Sequence, residues 1–286
     1  MKRTITGMNL SVNAIGLGAM PLSLDRRPDE AQAMEVIRAF VDGGGDFIDT
    51  ANVYCIDNDD IGHNERLIAG ALAKLGRREK VTVATKGGLT RPRGDWETDG
   101  RPVFIRASCE RSLRDLHTDG IALYQLHAFD PKVPMEDTVG ELVRLQTEGK
   151  IRHIGLSNVR AAQLEAALGM ARIVSVQNRC NVLEQKDFRN GLVALCGRLG
   201  VTYIPHSPVG GYFGHRQLGA HALLQKLAVA HDCSPQVIAL AWLLARGDHI
   251  LPIPGASRPA SIRDSLTATH LTLTEEEMRS LDAMSG

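Results

Sequence analysis

The chain has no excess charge of either sign: 33 Lys and Arg stand against 33 Asp and Glu over 286 residues. No basic stripe or acidic tail breaks that balance, so a primary role on nucleic acid or an anionic membrane is not expected. It has no apolar run near the ~18–20 residues that span a bilayer. Its start, Met1-Lys2-Arg3-Thr4-Ile5-Thr6, lacks the continuous apolar stretch of a signal peptide. A cytoplasmic protein is the expectation. The cysteines Cys55, Cys109, Cys180, Cys196 and Cys233 are odd in number, widely spaced and without a C-x-x-C pair, which argues against a disulfide framework or a structural zinc site. The ten histidines form no H-E-x-x-H, and no metal is expected. No low-complexity linker marks a boundary, so residues 1–286 are expected to form one domain.

What is present is a rhythm. Short β-rich apolar runs alternate with longer amphipathic stretches: 14–17, 47–50, 81–85, 121–126, 151–156, 173–177, 201–205 and 250–254. Between the first two, Met34, Ile37, Phe40 and Val41 recur at helical spacing, and Gly43-Gly44-Gly45 supplies a stop. Met135, Val139, Leu142 and Leu145 repeat the pattern before Gly149. Eight strands, each followed by a helix, are the count of a (β/α)₈ TIM barrel. A doubly wound sheet would open on G-x-G-x-x-G; here Gly16-Leu17-Gly18-Ala19-Met20-Pro21 puts Pro where the last small residue belongs. Ahead of the barrel, residues 2–12 alternate around Gly7-Met8-Asn9 and predict a short β-hairpin capping the barrel bottom. The longest connections, 87–102 with Trp96 and 207–219 with its glycines, are expected to be loops crowning the catalytic face.

In a barrel the residues that end the strands face the active-site mouth. Strand two ends in Asp49 and leads to Tyr54, strand three ends in Lys86, and strand four ends in His127. An Asp49–Lys86 pair that merely closes the barrel is the plainer alternative for any one of them. Convergence of four favours chemistry. A phenol near pKa 10 is a poor acid at neutral pH, and an adjacent ammonium is expected to lower it. Asp49 would keep Lys86 charged, and His127 would hydrogen-bond a substrate oxygen. The set suits proton transfer to a carbonyl.

These residues, with their surrounding motifs, resemble the aldo-keto reductase family. The likeness is carried by Phe47-Ile48-Asp49-Thr50-Ala51 with Tyr54, Gly62-His63-Asn64-Glu65, Thr85-Lys86, Leu126-His127, the run from Gly149 to Asn158, Val176-Gln177-Asn178, and Ile253-Pro254-Gly255-Ala256-Ser257. The resemblance implies a catalytic tetrad of Asp49, Tyr54, Lys86 and His127, with Tyr54 as the acid for reducing an aldehyde or ketone. It also implies NADP(H), with NAD(H) as the alternative, lying across the barrel mouth. Ser157, Asn158 and Gln177 would hold the carboxamide, and His206 would stack on the nicotinamide. Ser207, Pro208, Val209 and Gly210 would cover the pyrophosphate. Gly255, Ala256, Ser257 and Arg258 would line the adenosine end, with Arg258 meeting a 2′-phosphate. Asp264 and Ser265 stand where relatives hold adenine with Glu-Asn, a departure from the common pattern. Gly18, Ala19, Met20 and Asp49 would complete the cofactor contacts. Trp96 and Phe129, with Tyr54 and His127, would face a small-molecule carbonyl substrate. The expected assembly is a monomer or weak homo-oligomer. The competing reading is a dinucleotide-binding redox sensor or regulatory subunit with little turnover.

Overall fold

Successive parallel strands need a crossover between them, and here helices supply it. The computed structural model describes residues 1–284; Ser285 and Gly286, the end of the expected unit, lie outside the described residues. The antiparallel pair β1 (Lys2–Ile5) and β2 (Leu10–Asn13) comes first, joined through a 3₁₀ turn and a left-handed Asn9 at φ +50°. Next come β3 (Leu17–Gly18), α1 (Glu30–Asp42), β4 (Phe47–Asp49), α2 (His63–Lys74) and β5 (Thr82–Gly87). A small hairpin, β6 (Leu89–Thr90) and β7 (Glu97–Thr98), precedes α3 (Pro102–Leu116), β8 (Leu123–Leu126), α4 (Met135–Thr147), β9 (Ile154–Ser157) and α5 (Ala161–Leu168). Then follow β10 (Ile173–Arg179), α6 (Lys186–Arg189), α7 (Leu192–Leu199), β11 (Thr202–His206), α8 (Gly211–Ala220), α9 (Ala222–Ala230), α10 (Pro235–Ala245), α11 (Pro259–Thr267) and α12 (Glu275–Asp282).

Seven strands pair in parallel in the order β3-β4-β5-β8-β9-β10-β11. The expected eighth run, 250–254, closes the ring without becoming a regular strand. On one side Tyr203 N–H donates to His249 O at 2.8 Å, and Leu251 N–H to Tyr203 O at 2.9 Å. On the other, the carbonyls of Pro252 and Pro254 accept from Gly16 and Gly18 at 2.9 and 3.0 Å. Proline has no N–H to return, so that side is a ladder of acceptors alone. The barrel is therefore closed by bridges at Gly18–Gly255 and Tyr203–Ile250.

Both faces of each strand are buried, which is why the runs read as continuously apolar. Outward Ile48, Tyr124, Leu126, Leu156, Val176 and Tyr203 pack into the helical layer. Inward Phe47, Ala84, Leu123, Val174, Ile204, Leu251 and Ile253 form a plug with Ile5 and Val12 of the N-terminal hairpin. The hairpin thus seals the end where the strands begin. At α1, Asp29 caps Gln32 N–H at 2.8 Å, and Val36, Ile37 and Phe40 carry the buried face. The segment expected as a loop at 207–219 is loop only to Gly210, then becomes α8. Gly210 at φ +89° and Gly211 at φ +66° make the sharp entry, and buried Leu218 anchors the helix.

Candidate active site

Strand alternation aims Asp49 and Lys86 into the barrel and sends their neighbours Thr50 and Thr85 to the helical side. Lys86 Nζ donates to Asp49 Oδ2 at 2.6 Å, to Thr50 O at 2.9 Å and to Tyr54 OH at 2.9 Å. All three donors of the ammonium are used. Lys86 is 0% exposed and Asp49 1%, so this is a desolvated pair. Asp49 Oδ1 accepts from Gln125 Nε2 at 3.1 Å and Gln177 Nε2 at 2.8 Å. The ring of His127 lies 5.8 Å from that of Tyr54, centroid to centroid, at a steep angle. The four expected residues therefore meet at one rim.

Their protonation departs from expectation at one point. Burial pushes the Tyr54 phenol up, Lys86 pulls it down and Asp49 raises it again; the net direction is upward. The expected lowering by Lys86 exists but is outweighed by desolvation. Burial also pulls on the Lys86 ammonium, yet Asp49 and Tyr54 outweigh it and its net shift is upward. Lys86 stays charged. Burial, then Lys86 and His206, hold His127 well below the ordinary imidazole range. Its Nδ1 is buried with no partner among the described residues. His206, expected to be titratable, is pushed to about 3 by burial, Lys86 and Arg179.

Trp96 is held over this rim. It lies between β6 and β7 with its ring 6.5 Å from Tyr54 and 6.3 Å from His127. The Arg91 guanidinium stacks 4.0 Å above it and donates to the carbonyls of Cys55 and Ile56, just past Tyr54. Met20 packs beside Tyr54, Ala51 and Leu89. Phe129 is half-buried and packs against the large apolar cluster that includes the helical layer.

The expected cofactor residues divide by what their side chains do. The Gln177 amide N–H is spent on Asp49 and Gln125. Asn158, left-handed at φ +57°, donates to His127 O and Ser157 Oγ. Ser207, at φ +54°, accepts at its carbonyl from Asn181 and Gly210, and His206 Nδ1 sits 3.2 Å from its hydroxyl. Pro208, Val209 and Gly210 are buried beneath the turn. Gly18 and Gly255 meet back to back, where a Cβ on Gly18 would reach 2.7 Å from Ile253 O. Ala256 is buried, whereas Gly255, Ser257 and Arg258 are exposed; Ser257 O accepts from Gln32. Asp264 is committed to Ser234 Oγ at 2.6 Å, and Ser265 Oγ to Ser261 O at 3.0 Å. Through these bonds their side chains brace α10 and α11.

A dinucleotide nonetheless fits this rim. The N-termini of α8 and α11 have no side-chain cap, and such ends bind anions. Arg258, at the start of α11, is exposed and has no ion pair among the described residues. The orphaned Nδ1 of His127 is a further polar group awaiting a partner.

Three contributors carried no role in the sequence reading: Gln125, which braces Asp49, and Asn64 and Glu65, which reach the strands from α2. Gln125 had a signal, since it lies two residues before His127 on the same inward face.

The Aldo/keto reductase family is matched over residues 14–285, and the chain belongs to that family. It is 33% identical to a probable aldo-keto reductase from Glycine max, over 94% of this chain and 84% of that protein. Among solved structures, a thermostable aldo-keto reductase bound to the inhibitor epalrestat superposes with a TM-score of 0.84 at 29% identity, covering 99% of both chains. An aldo-keto reductase from Klebsiella pneumoniae, in complex with NADP and acetate, superposes with a TM-score of 0.83 at 25% identity, over 98% of this chain and 94% of that one.

Proposed function

We propose that this chain, acting as one domain, reduces an aldehyde or ketone to the alcohol with NADP(H), and that Tyr54 delivers the proton. The observation that carries this reading is the Lys86 ammonium fixed 2.9 Å from Tyr54 OH by Asp49 behind it. Because Lys86 donates to the phenol oxygen, the phenol's own hydrogen is turned away from Lys86 and is available at the mouth. Burial keeps that hydrogen in place until a substrate oxygen accepts it. When it leaves, the phenolate forms against a preset positive charge, which is where electrostatic stabilisation is most effective. His127, neutral at working pH, offers one hydrogen bond to the carbonyl oxygen and no competing acid.

NADP(H), when bound, supplies the hydride. We assign its 2′-phosphate to Arg258, its pyrophosphate to the Ser207–Gly210 turn and the start of α8, and its adenosine end to Gly255, Ala256 and Ser257. Its nicotinamide falls to Ser157, Asn158, Gln177 and His206, with Gly18, Ala19 and Met20 at the near rim. The Trp96 and Met20 surfaces favour an aromatic or apolar carbonyl. All five cysteines are free, which supports a cytoplasmic setting.

The test is Tyr54→Phe, assayed by loss of reduced-nicotinamide absorbance on an aldehyde panel. Turnover should fall about 10²–10⁴-fold, with NADPH affinity by fluorescence unchanged. Retained turnover would move the acid elsewhere. Tight NADPH binding by the unaltered protein without turnover on any carbonyl would favour the sensor.

A further inference from the structure

We propose that Asn64 and Glu65, on the first turn of α2, are positioning residues that set the Asp49–Lys86–Tyr54 geometry from behind the barrel wall. Asn64 Oδ1 accepts from Thr50 Oγ1 at 2.5 Å, and Glu65 Oε1 accepts from Thr85 Oγ1 at 2.5 Å. Thr50 directly follows Asp49, and Thr85 directly precedes Lys86. Each inward residue of the ion pair thus has an outward threonine beside it, and the two threonines are held by two consecutive side chains. The carbonyl of Thr50 is itself an acceptor for Lys86 Nζ. Asn64 reaches a third strand end as well, since its Nδ2 donates to Ala19 O at 2.9 Å and Ser23 Oγ at 2.7 Å. One helical turn therefore ties together the rims of β3, β4 and β5.

The start of α2 is fixed to match. Gly62 N–H donates to Asn52 O at 2.8 Å, and Gly62 sits at φ +84° where a Cβ would collide with Asp115. Helical register from that point puts Asn64 and Glu65 toward the barrel.

A carboxylic acid is a costly residue to bury for packing alone. Glu65 is 0% exposed, and its Oε2 has no partner among the described residues. Around it stand Arg66 on its own helix, Ser112, Asp115 and Cys109 of α3, and Tyr124 of β8. Burying a carboxyl there is costly unless a specific bond needs it. The hydroxyls that meet it are Thr85, bonded at 2.5 Å, and Ser112 behind it. The purpose of the Thr85 bond follows from reach: displacing a reacting group by ~1 Å costs as much as 10²-fold in rate, and Lys86 is one residue from the anchor.

This inference rests on the Tyr54–Lys86 relay proposed above, and its test keeps the two apart. Thr85→Val keeps the shape and deletes the hydroxyl. We expect kcat for an aldehyde to fall about tenfold, as for one lost hydrogen bond expressed in the transition state. KM and NADPH affinity should stay within about twofold, and Thr85→Ser should recover kcat to within about threefold. Thr85→Val with Glu65→Met, which leaves no orphaned carboxyl, should be no slower than Thr85→Val alone, and it stands in if the single variant folds poorly. Unchanged kcat in both variants, an effect on KM alone, no recovery with serine, or turnover loss that merely tracks the folded fraction would each overturn the proposal. Tyr54→Phe is run alongside. If it stays fast, the relay itself is wrong; if it is slow while Thr85→Val is fast, only the positioning role fails.

Discussion

Lys86→Met combined with Asp49→Asn separates what the ion pair does for folding from what it does for turnover. Lys86→Met fills the volume of the lysine stem, so little cavity is left. It leaves the Asp49 carboxylate inside the barrel, where only Oδ1 keeps its donors, Gln125 at 3.1 Å and Gln177 at 2.8 Å. Breaking a buried pair from one side costs about 3–5 kcal/mol. The two remaining amide bonds put this site near the lower figure, about 3 kcal/mol. Asp49→Asn in the same background removes the stranded charge while its Oδ1 still accepts from Gln177. The double variant should therefore recover to within about 1–2 kcal/mol of the parent, the remainder being the hydrogen bonds lost at Tyr54 OH and Thr50 O. Asp49→Asn alone strands the Lys86 ammonium at a similar cost of about 3 kcal/mol, so the coupling between the two sites is about 4–5 kcal/mol. Urea unfolding at pH 7, with the slope checked for constancy, measures all four corners. Turnover should not recover with stability, because the charge beside Tyr54 is gone. A double variant as unstable as the sum of the singles would refute the reasoning, and one that regained turnover would remove Lys86 from the relay.

Glu65 predicts a pH signature in stability. Burial raises its carboxyl from 4.5 to about 7, so the folded state holds a proton the unfolded chain releases; its contribution is full below pH 4.5 and lost as pH rises through 7. The stability of Glu65→Gln relative to the parent should therefore rise by about 3 kcal/mol from pH 4.5 to above 7, and a pH-independent difference in urea midpoints would contradict it. Arg91→Met removes the cation stacked 4.0 Å over Trp96, and KM for an aromatic aldehyde should rise about threefold to thirtyfold with kcat little changed; steady-state kinetics showing an equal effect on an aliphatic aldehyde would deny Trp96 the role of a substrate wall. Arg258→Ala should weaken NADPH by about tenfold or more relative to NADH, from loss of a charge-assisted bond, and equal losses in fluorescence titrations would mean that Arg258 reads no phosphate.

The barrel was legible because its strands are buried on two faces and so stand out as short apolar runs. Asp29 and Ser234 cap their helices through chemistry that is local in the sequence. Failures came where tertiary packing overrides local preference. Gly210, Gly211, Gly214 and Gly219 read as loop, yet α8 forms there because Leu218 is buried and the next two helices pack beside it. In the closing run 250–254 the apolar pattern was right, but two prolines withhold the N–H groups that a regular strand would offer to β3.

The site was legible as a set of groups and illegible as a balance of energies. Spacing along three strands brings Asp49, Tyr54, Lys86 and His127 to one rim, and an ammonium beside a phenol lowers its pKa; both statements need only the sequence. How much water the phenol loses is not written in any neighbour's name, and here desolvation outweighs Lys86 and reverses the net direction. The same limit hid the bonds that the Gln177 amide makes to Asp49 and that Asp264 makes to Ser234. It hid Glu65 most completely, because a lone acid on an amphipathic helix ordinarily faces water. Its position two residues after Asn64's own predecessor, on the barrel-facing side of a helix that starts at a left-handed glycine, is the one sequence-level sign that it points inward. A buried acid needs a donor, and the hydroxyl adjoining the ion-paired lysine is the donor that the fold provides.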